Sequence, residues 1–221
     1  MPQLIRLIWV SKLTEKGLIL LTGFEAFREF KANPSIVACR PLDGRIFNGY
    51  RVKVEEVTMK FDGVKEEIEG HIKEYSPSAV VCTGVSGLGS TIAVERVAIN
   101  VFSAQKSIMG AEALDRPIRE DGPDAYFTTF PYRKLLEALR DSRIPARLSN
   151  TAGTVGCNLI FYYVMDYLSR EGRHIPAGFI PVPRLPEQAL DWASASMTSE
   201  LSSKALETIV RAIAQDMDNP H

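Results

Sequence analysis

The chain contains 221 residues, of which 45% are apolar and 24% are charged, a composition typical of a globular protein with one or two domains. Its formal net charge of −1 gives no electrostatic reason to expect nucleic acid or an anionic membrane as a partner. No apolar stretch approaches the roughly 20 residues that a membrane-spanning helix needs, so we expect no membrane partner.

Short apolar runs that are typical of buried strands alternate with amphipathic helical patterns along the chain. In chain order, the sequence predicts a strand at 17–24, a helix at 33–42, a strand at 50–59, a helix at 62–75, strands at 78–85 and 91–102, a helix at 131–143, a strand at 144–150, a helix at 157–170, a strand at 177–183 and a helix at about 198–217. This alternation predicts one α/β domain, with helices on both faces of a mostly parallel or mixed central sheet.

The three cysteines, Cys39, Cys82 and Cys157, lie far apart in sequence and form no CxxC pair. This spacing is typical neither of a disulfide framework nor of a zinc site. Free thiols indicate a reducing compartment, and we expect a cytoplasmic protein. No histidine lies three or four residues from another histidine or from a cysteine, so we expect no metal and no cofactor.

A glycine-rich segment, GVSGLG at 84–89, suggests a phosphate-binding loop, because glycines let a phosphate approach the backbone. A dinucleotide-binding loop must open a helix, however, and this one leads into the strand-like segment 91–102. The spacing of its glycines also differs from that of the dinucleotide fingerprint. We therefore interpret the segment as a connection between two strands.

The segment SNTAGTVGCNLIFY at 149–162 places Cys157 at the predicted start of a helix. One interpretation is a small core residue, since free cysteine is among the most often buried residue types. The other is a nucleophile, because the partial positive charge at a helix N-terminus favours the thiolate. The free N–H groups there can also bind an oxyanion. The residues alone leave both interpretations open.

Several short blocks occur in a fixed order along the chain: TGFEAF at 22–27, NPS at 33–35, ERVAIN at 95–100, GPDAYF at 122–127, SNTAGTVGCN at 149–158, and GFI-VP with PEQ within 178–188. Together they resemble the pyroglutamyl peptidase I family, the pyrrolidone-carboxylate peptidases, which remove pyroglutamate from the N-terminus of peptides. The resemblance implies a single-domain α/β/α sandwich over 17–221, and a homodimer or homotetramer. Residues 1–16 then form an N-terminal extension, for which disorder or a misassigned start are the alternatives.

The resemblance implies a Cys-His-Glu triad, in which a thiol attacks, an imidazole moves the proton and a carboxylate orients the imidazole. The nucleophile corresponds to Cys157 and the orienting acid to Glu95. The histidine corresponds to the fourth residue of GFIPVP, which is Pro181, so the general base is missing. His174 lies seven residues earlier, roughly 23 Å away along a strand, and cannot replace it.

The resemblance also assigns substrate binding to Phe24 and Phe27, as aromatic walls of the pyroglutamyl pocket, and to Val155 just before the thiol. Other positions around that pocket depart from the family pattern: 28–29, 89, 105–106 and 155–156. We therefore expect a pocket of altered shape and charge.

These departures lead to three hypotheses about function. The first is a pyroglutamyl-peptidase-like protein with weak or absent activity, because removing the base from a triad enzyme costs roughly 10⁶ in turnover. The second is a hydrolase of changed specificity, with Lys106 or a carboxylate as the base. The third is a non-catalytic binding or assembly protein. In each case the expected partner is a peptide or small molecule with a pyroglutamyl-like end group.

Overall fold

The strands form where the sequence has its short apolar runs. The computed structural model describes residues 15–26, 31–86, 89–104, 113–190 and 195–219. Its strands, in chain order, are β1 (Gly17–Phe24), β2 (Ile46–Phe47), β3 (Tyr50–Val57), β4 (Ala79–Ser86), β5 (Ile92–Glu95), β6 (Val97–Ile99), β7 (Phe102–Ala104), β8 (Ala113–Arg116), β9 (Ala125–Phe127), β10 (Ala146–Ser149) and β11 (Ala177–Pro183).

The central sheet has the strand order β11-β4-β1-β3-β2. Its four long strands run parallel, and the short β2 pairs antiparallel with β3 at the outer edge. Beside β11 lies a parallel pair of strands, β5 and β10. Two antiparallel pairs, β6 with β9 and β7 with β8, complete the described strands.

The helices are α1 (Pro34–Cys39), α2 (Phe61–Tyr75), α3 (Tyr132–Asp141), α4 (Gly156–Arg170) and α5 (Ser199–Asp218). Side-chain caps begin two of them: Asn33 accepts a hydrogen bond from the N–H of Ser35, and Thr198 accepts one from the N–H of Leu201. Helix α4 has no such cap, because the side chain of Val155, its capping residue, accepts no hydrogen bond from the first N–H groups of the helix.

The sheet separates two apolar cores. On one face, Ile19 and Leu21 of β1 pack with α1, α3 and α5, while on the other Leu20 and Phe24 pack with α2 and α4. Because side chains alternate along a strand, burial on both faces requires continuous apolar runs, as the sequence has at β1, β4 and β11. The predicted α/β fold, with a mostly parallel mixed sheet between two helical layers, is confirmed.

One predicted element differs from the structure. The segment 91–102 was expected as one strand, but it is divided between β5, β6 and the start of β7. The division begins after Glu95, where the chain leaves the parallel pairing with β10, and β6 then pairs antiparallel with β9. It ends at Asn100, whose N–H still donates to the carbonyl of Asp124 at 2.8 Å and whose side chain exchanges hydrogen bonds with the backbone of Arg119. The alternation of apolar and polar residues predicts an extended backbone, but it does not predict that the chain changes its pairing partner twice within the segment.

Candidate active site

Three side chains from three elements converge on Gly84, near the carboxyl end of β4. A Cβ at position 84 would lie 2.7 Å from the ring of Phe179, 3.0 Å from Sγ of Cys157 and 3.3 Å from the ring of Phe24. The close approach therefore requires glycine, because any larger side chain would push the thiol and the rings apart. This is the point in the described structure where the predicted nucleophile meets the predicted aromatic wall.

Cys157 lies in the first turn of α4 and is partly buried. The next residue, Asn158, holds this turn against the β6–β7 segment: its amide accepts from the N–H of Ile99 at 2.9 Å and donates to the carbonyls of Ile99 and Val101 at 2.9 and 3.0 Å. Asn158 is fully buried, so these bonds form away from water. They fix the position of the thiol relative to the end of the ERVAIN block.

The thiol is held in its protonated form. Burial, and to a lesser degree the charge of Glu95, raise the pKa of Cys157 to about 12. The backbone N–H groups of Val85 and of Cys157 itself oppose this shift by hydrogen bonding to the sulfur, but they do not overcome it. The end of β4 and the first turn of α4 thus each supply a donor to the sulfur, yet the surroundings still favour the thiol.

Glu95 ends β5 and is buried, with 2% of its surface exposed. Its Oε2 has no hydrogen-bond partner within the described part of the chain. Burial raises the pKa of Glu95, although hydrogen bonds from the side chain of Ser149 and the backbone of Thr151 and the charge of Arg147 act in the opposite direction. A buried carboxyl oxygen without a donor is costly, and such groups mark sites where a partner is missing.

Pro181 lies on the same face of the sheet as Glu95 and Gly84. Its neighbours in β11, Ile180 and Val182, point into the α1–α3–α5 core, so the alternation turns Pro181 to the α4 side. In the ladder, Pro181 is the partner of Gly84, the residue that touches the thiol. The position at which the resemblance expects a histidine is therefore beside Cys157, and it holds a side chain that can neither donate nor accept a proton.

The backbone of β11 also lacks N–H donors at Pro181 and Pro183. The N–H of Val80 donates to the carbonyl of Pro176 at 2.9 Å, which directs the even-numbered residues of β11 toward β4 and the odd-numbered ones toward β5. Pro181 and Pro183 thus present nitrogens without hydrogen to β5. This explains why β5 lies beside β11 without sharing its hydrogen-bonded ladder.

Two further blocks hold the end of β1, which carries Phe24. The hydroxyl of Ser35 accepts from the N–H of Phe24 at 3.0 Å, and Asn33 donates to the carbonyl of Glu25 at 3.1 Å. From the PEQ block, Gln188 donates to the carbonyl of Ala32 at 2.9 Å. The NPS and PEQ blocks are thus structural supports of the loop that carries the predicted aromatic wall.

The structure brings together four of the predicted site residues: Cys157, Glu95, Phe24 and, in place of the base, Pro181. Val155 is the half-buried capping residue of α4, packed against the core on the same face. Phe27 and Lys106 lie outside the described residues. His174 lies before the start of β11, in a groove with Tyr126 and Pro176, whereas Pro181 lies near the other end of that strand.

Sequence reasoning missed Gly84 and Asn158 as parts of the site. Gly84 was interpreted as part of a loop between strands, although it is the residue of β4 nearest the thiol. Asn158 directly follows the cysteine within SNTAGTVGCN, which is the signal that could have identified it. Within the described ranges, no group of three or more His, Cys, Asp or Glu residues is arranged to hold a metal ion. Of the helices that the structure describes, none is long and apolar enough to span a membrane.

The chain is similar to known proteins along most of its length. A family model described as pyroglutamyl peptidase matches residues 17–217. The pyrrolidone-carboxylate peptidase of Thermococcus onnurineus is 42% identical over 194 residues, which cover 87% of this chain and 96% of that protein. That of Bacillus subtilis is 35% identical over 196 residues, or 88% of each chain. The crystal structure of pyroglutamyl peptidase I from Bacillus amyloliquefaciens has a TM-score of 0.86 at 33% identity, covering 90% of this chain and 98% of that one.

Proposed function

The chain belongs to the pyroglutamyl peptidase family, and from this premise we propose that it is a pyroglutamyl-peptidase-like protein whose removal of N-terminal pyroglutamate from peptides is weak or absent. One observation carries the proposal: Oε2 of Glu95 is buried without a partner among the described residues, on the sheet face that also presents Pro181 and Cys157. A carboxylate that orients an imidazole would occupy such a place, and the position that the resemblance assigns to the histidine is Pro181.

The expected chemistry begins with the sulfur of Cys157 attacking the carbonyl carbon of the pyroglutamyl group. Because burial raises the pKa of the Cys157 thiol, the thiolate is a minor species at pH 7. An imidazole at position 181 would take the thiol proton and later return it to the leaving amine. Pro181 performs neither step, so attack is slow and the amine leaves without a proton donor.

The remaining parts of the site support ligand binding. Phe24 is almost fully buried beside the thiol and keeps the aromatic wall that the resemblance assigns to the pyroglutamyl pocket. A non-catalytic binding role is therefore the second candidate. Turnover by a base at Lys106 involves a residue outside the described ranges, and no observed contact supports it.

The decisive experiment compares hydrolysis of a fluorogenic pyroglutamyl amide by the native chain, Pro181→His and Cys157→Ser. We expect little or no turnover by the native chain and a gain of at least 10³-fold in Pro181→His, since a base is worth several orders of magnitude in a triad. Pro183→His is the matched control, because it adds an imidazole and restores an N–H two residues further along the same face, and we expect no gain from it.

Rapid cleavage by the native chain that is lost in Cys157→Ser would contradict the proposal, since it would require another base. If Pro181→His stays silent while pyroglutamate raises the melting temperature of the native chain, the second candidate, a binding protein, is favoured.

We further propose that the protein works as a homodimer or homotetramer in the cytoplasm. Leu114, Phe127 and Leu190 are large apolar side chains with 76%, 67% and 80% of their surface exposed, and a subunit interface would cover such groups. Cys39, Cys82 and Cys157 are free thiols, which suits a reducing compartment. Light scattering of the purified chain measures the subunit number directly.

A further inference from the structure

One oxygen of the Glu95 carboxyl, Oε2, has no hydrogen-bond donor among the described residues, although Ser149 and Thr151 donate to the group. Glu95 is 2% exposed, so water does not replace the donor freely. The two histidines in the described ranges lie elsewhere: His71 stacks on Tyr75 in α2, and His174 precedes β11. Pro181 beside it offers no N–H from either its ring or its backbone.

Sγ of Cys157 lies near Glu95 and Pro181, and the hydrogen bonds that the described residues make to this sulfur come from donors, not from a proton acceptor. Cys157 as a residue is half-buried, whereas Glu95 is buried, so solvent approaches the pair from the side of Cys157. A group that completes the site must therefore donate an N–H inward, to the carboxylate, and present a basic nitrogen outward, to the thiol. Imidazole has both nitrogens on one ring and changes its protonation near neutral pH.

Resting on the proposed function, we propose that the position between Glu95 and Cys157 binds an imidazole group from outside the chain, whose N–H donates to Oε2 of Glu95 and whose second nitrogen faces the thiol. The group comes either from a free small molecule or from the substrate itself, as the side chain of a histidine that follows the pyroglutamyl residue. Both sources have the same chemistry at the site.

The bound imidazole restores the balance of the reaction. Its free nitrogen takes the proton of Cys157, and the sulfur forms a bond to the carbonyl carbon of the pyroglutamyl group. The imidazolium then gives that proton to the leaving amine as the carbon–nitrogen bond breaks, which leaves a thioester. Free imidazole then deprotonates the water that attacks the thioester, which releases pyroglutamate and returns the proton to the sulfur. An imidazole that belongs to the substrate departs with the leaving peptide, so with that source water hydrolyses the thioester unassisted and gives its proton to the sulfur.

Binding is tested without turnover, through the alkylation rate of Cys157 by iodoacetamide at pH 7.5, followed by mass spectrometry of the intact chain and its peptides. Imidazole should accelerate alkylation at least tenfold, with saturation, because it takes the thiol proton inside the site. The matched control is 1-methylimidazole, which keeps a basic nitrogen but has no N–H for Glu95, and it should give no saturable acceleration. In Glu95→Gln, the saturable effect of imidazole should disappear.

The source of the imidazole is tested with pyroglutamyl-alanyl and pyroglutamyl-histidyl amides, whose cleavage is followed by liquid chromatography. Cleavage of the histidyl peptide alone, without added imidazole, identifies the substrate as the source. Cleavage of the alanyl peptide in the presence of free imidazole identifies a small molecule.

Equal acceleration of alkylation by imidazole and 1-methylimidazole would overturn the proposal, even if Glu95→Gln fails to fold. So would a saturable effect of imidazole that persists in a folded Glu95→Gln. The proposed function fails separately: if imidazole accelerates alkylation selectively but Pro181→His cleaves no pyroglutamyl amide, the imidazole site stands and the peptidase assignment does not.

Discussion

The protein buries two carboxylates to the same extent and surrounds them differently. Glu95 and Asp166 are each 2% exposed, and both lie on the α4 side of the sheet. Asp166 receives a hydrogen bond from Tyr126 at 2.8 Å and forms ion pairs with Arg119 at 3.0 Å and Arg170 at 2.9 Å. Both of its oxygens therefore have charged or hydroxyl donors.

Glu95 has no cation in direct contact among the described residues, and one of its oxygens has no partner. The contrast shows that this fold can satisfy a buried acid completely when the acid serves structure, because Asp166 ties α4 to the Arg119 loop. Among the buried side-chain atoms that lack a hydrogen-bond partner in the described chain, Oε2 of Glu95 is the one carboxyl oxygen; the others belong to Thr22, His71, Arg119 and Ser202. Asp166 thus stabilises the fold through its bound donors, whereas Glu95 keeps one carboxyl oxygen without a donor among the described residues.

The largest expected effect is on stability. Asp166→Asn should lower the free energy of unfolding by about 2 kcal/mol, because it leaves two guanidinium groups without their carboxylate. This lies below the range for fully buried pairs, since the side chains of Arg119 and Arg170 are 37% and 38% exposed and can regain water. Urea denaturation at pH 7 measures the change.

The matched variant is Glu95→Gln, which should leave the free energy of unfolding at pH 7 unchanged or higher. It removes a buried charge that no cation of the described chain contacts directly, although Arg147 acts on it from a distance, so the lost desolvation penalty offsets any lost hydrogen bond. A loss as large as that of Asp166→Asn would mean that Glu95 has a structural partner, and the comparison would fail.

The next effect concerns pH. Burial raises the pKa of Glu95 above its value in the unfolded chain, so the folded state holds this proton more tightly. Glu95 therefore favours folding below the unfolded pKa of about 4, and this contribution is lost as pH rises through the higher folded pKa. Relative to Glu95→Gln, the native chain should lose about 1.4 kcal/mol of stability for each unit of pKa elevation.

Urea midpoints of both chains between pH 4 and pH 8 measure this difference. A gap between native chain and variant that does not change with pH would show that the pKa of Glu95 is the same in both states.

Much of the fold could be predicted from the sequence, because local patterns encode it. Continuous apolar runs marked β1, β4 and β11, and Asn33-Pro34 marked the start of α1. The division of 91–102 could not be predicted, since it depends on the pairing of β6 with β9, a strand that follows β7 and β8 in the chain. Pairing of this kind is decided by packing and leaves no local pattern.

The candidate site was predictable as a set of residues but not as an arrangement. The blocks shared with the family identified Cys157, Glu95 and Pro181, and their roles remain predictions. The sequence does not show that Gly84 lies against the thiol or that Oε2 of Glu95 lacks a donor. Both facts depend on which residues are neighbours in space, and these neighbours come from strands that are distant in sequence.

The smallest expected effect is on the reactivity of the Cys157 thiol. Here Glu95 and Asp166 should differ, because only Glu95 influences the pKa of that thiol. The charge of Glu95 is the second cause of the raised pKa of Cys157, after burial, whereas Asp166 on the same helix is not among its causes. Glu95→Gln should therefore raise the rate of Cys157 alkylation at pH 8 by less than about tenfold, which corresponds to less than one pKa unit. Asp166→Asn should leave the rate unchanged as long as the chain is folded.

Iodoacetamide labelling, read at Cys157 by peptide mass spectrometry, compares the three proteins. Cys39 and Cys82 are fully buried, and burial raises the pKa of each to about 12, so they serve as internal controls that label only when the fold opens. If both variants accelerate labelling of Cys157 and of the two control thiols together, the cause is local unfolding. A rise confined to Cys157 in Glu95→Gln places the unpaired acid in electrostatic contact with the thiol, because loss of its charge then changes that one sulfur and no other.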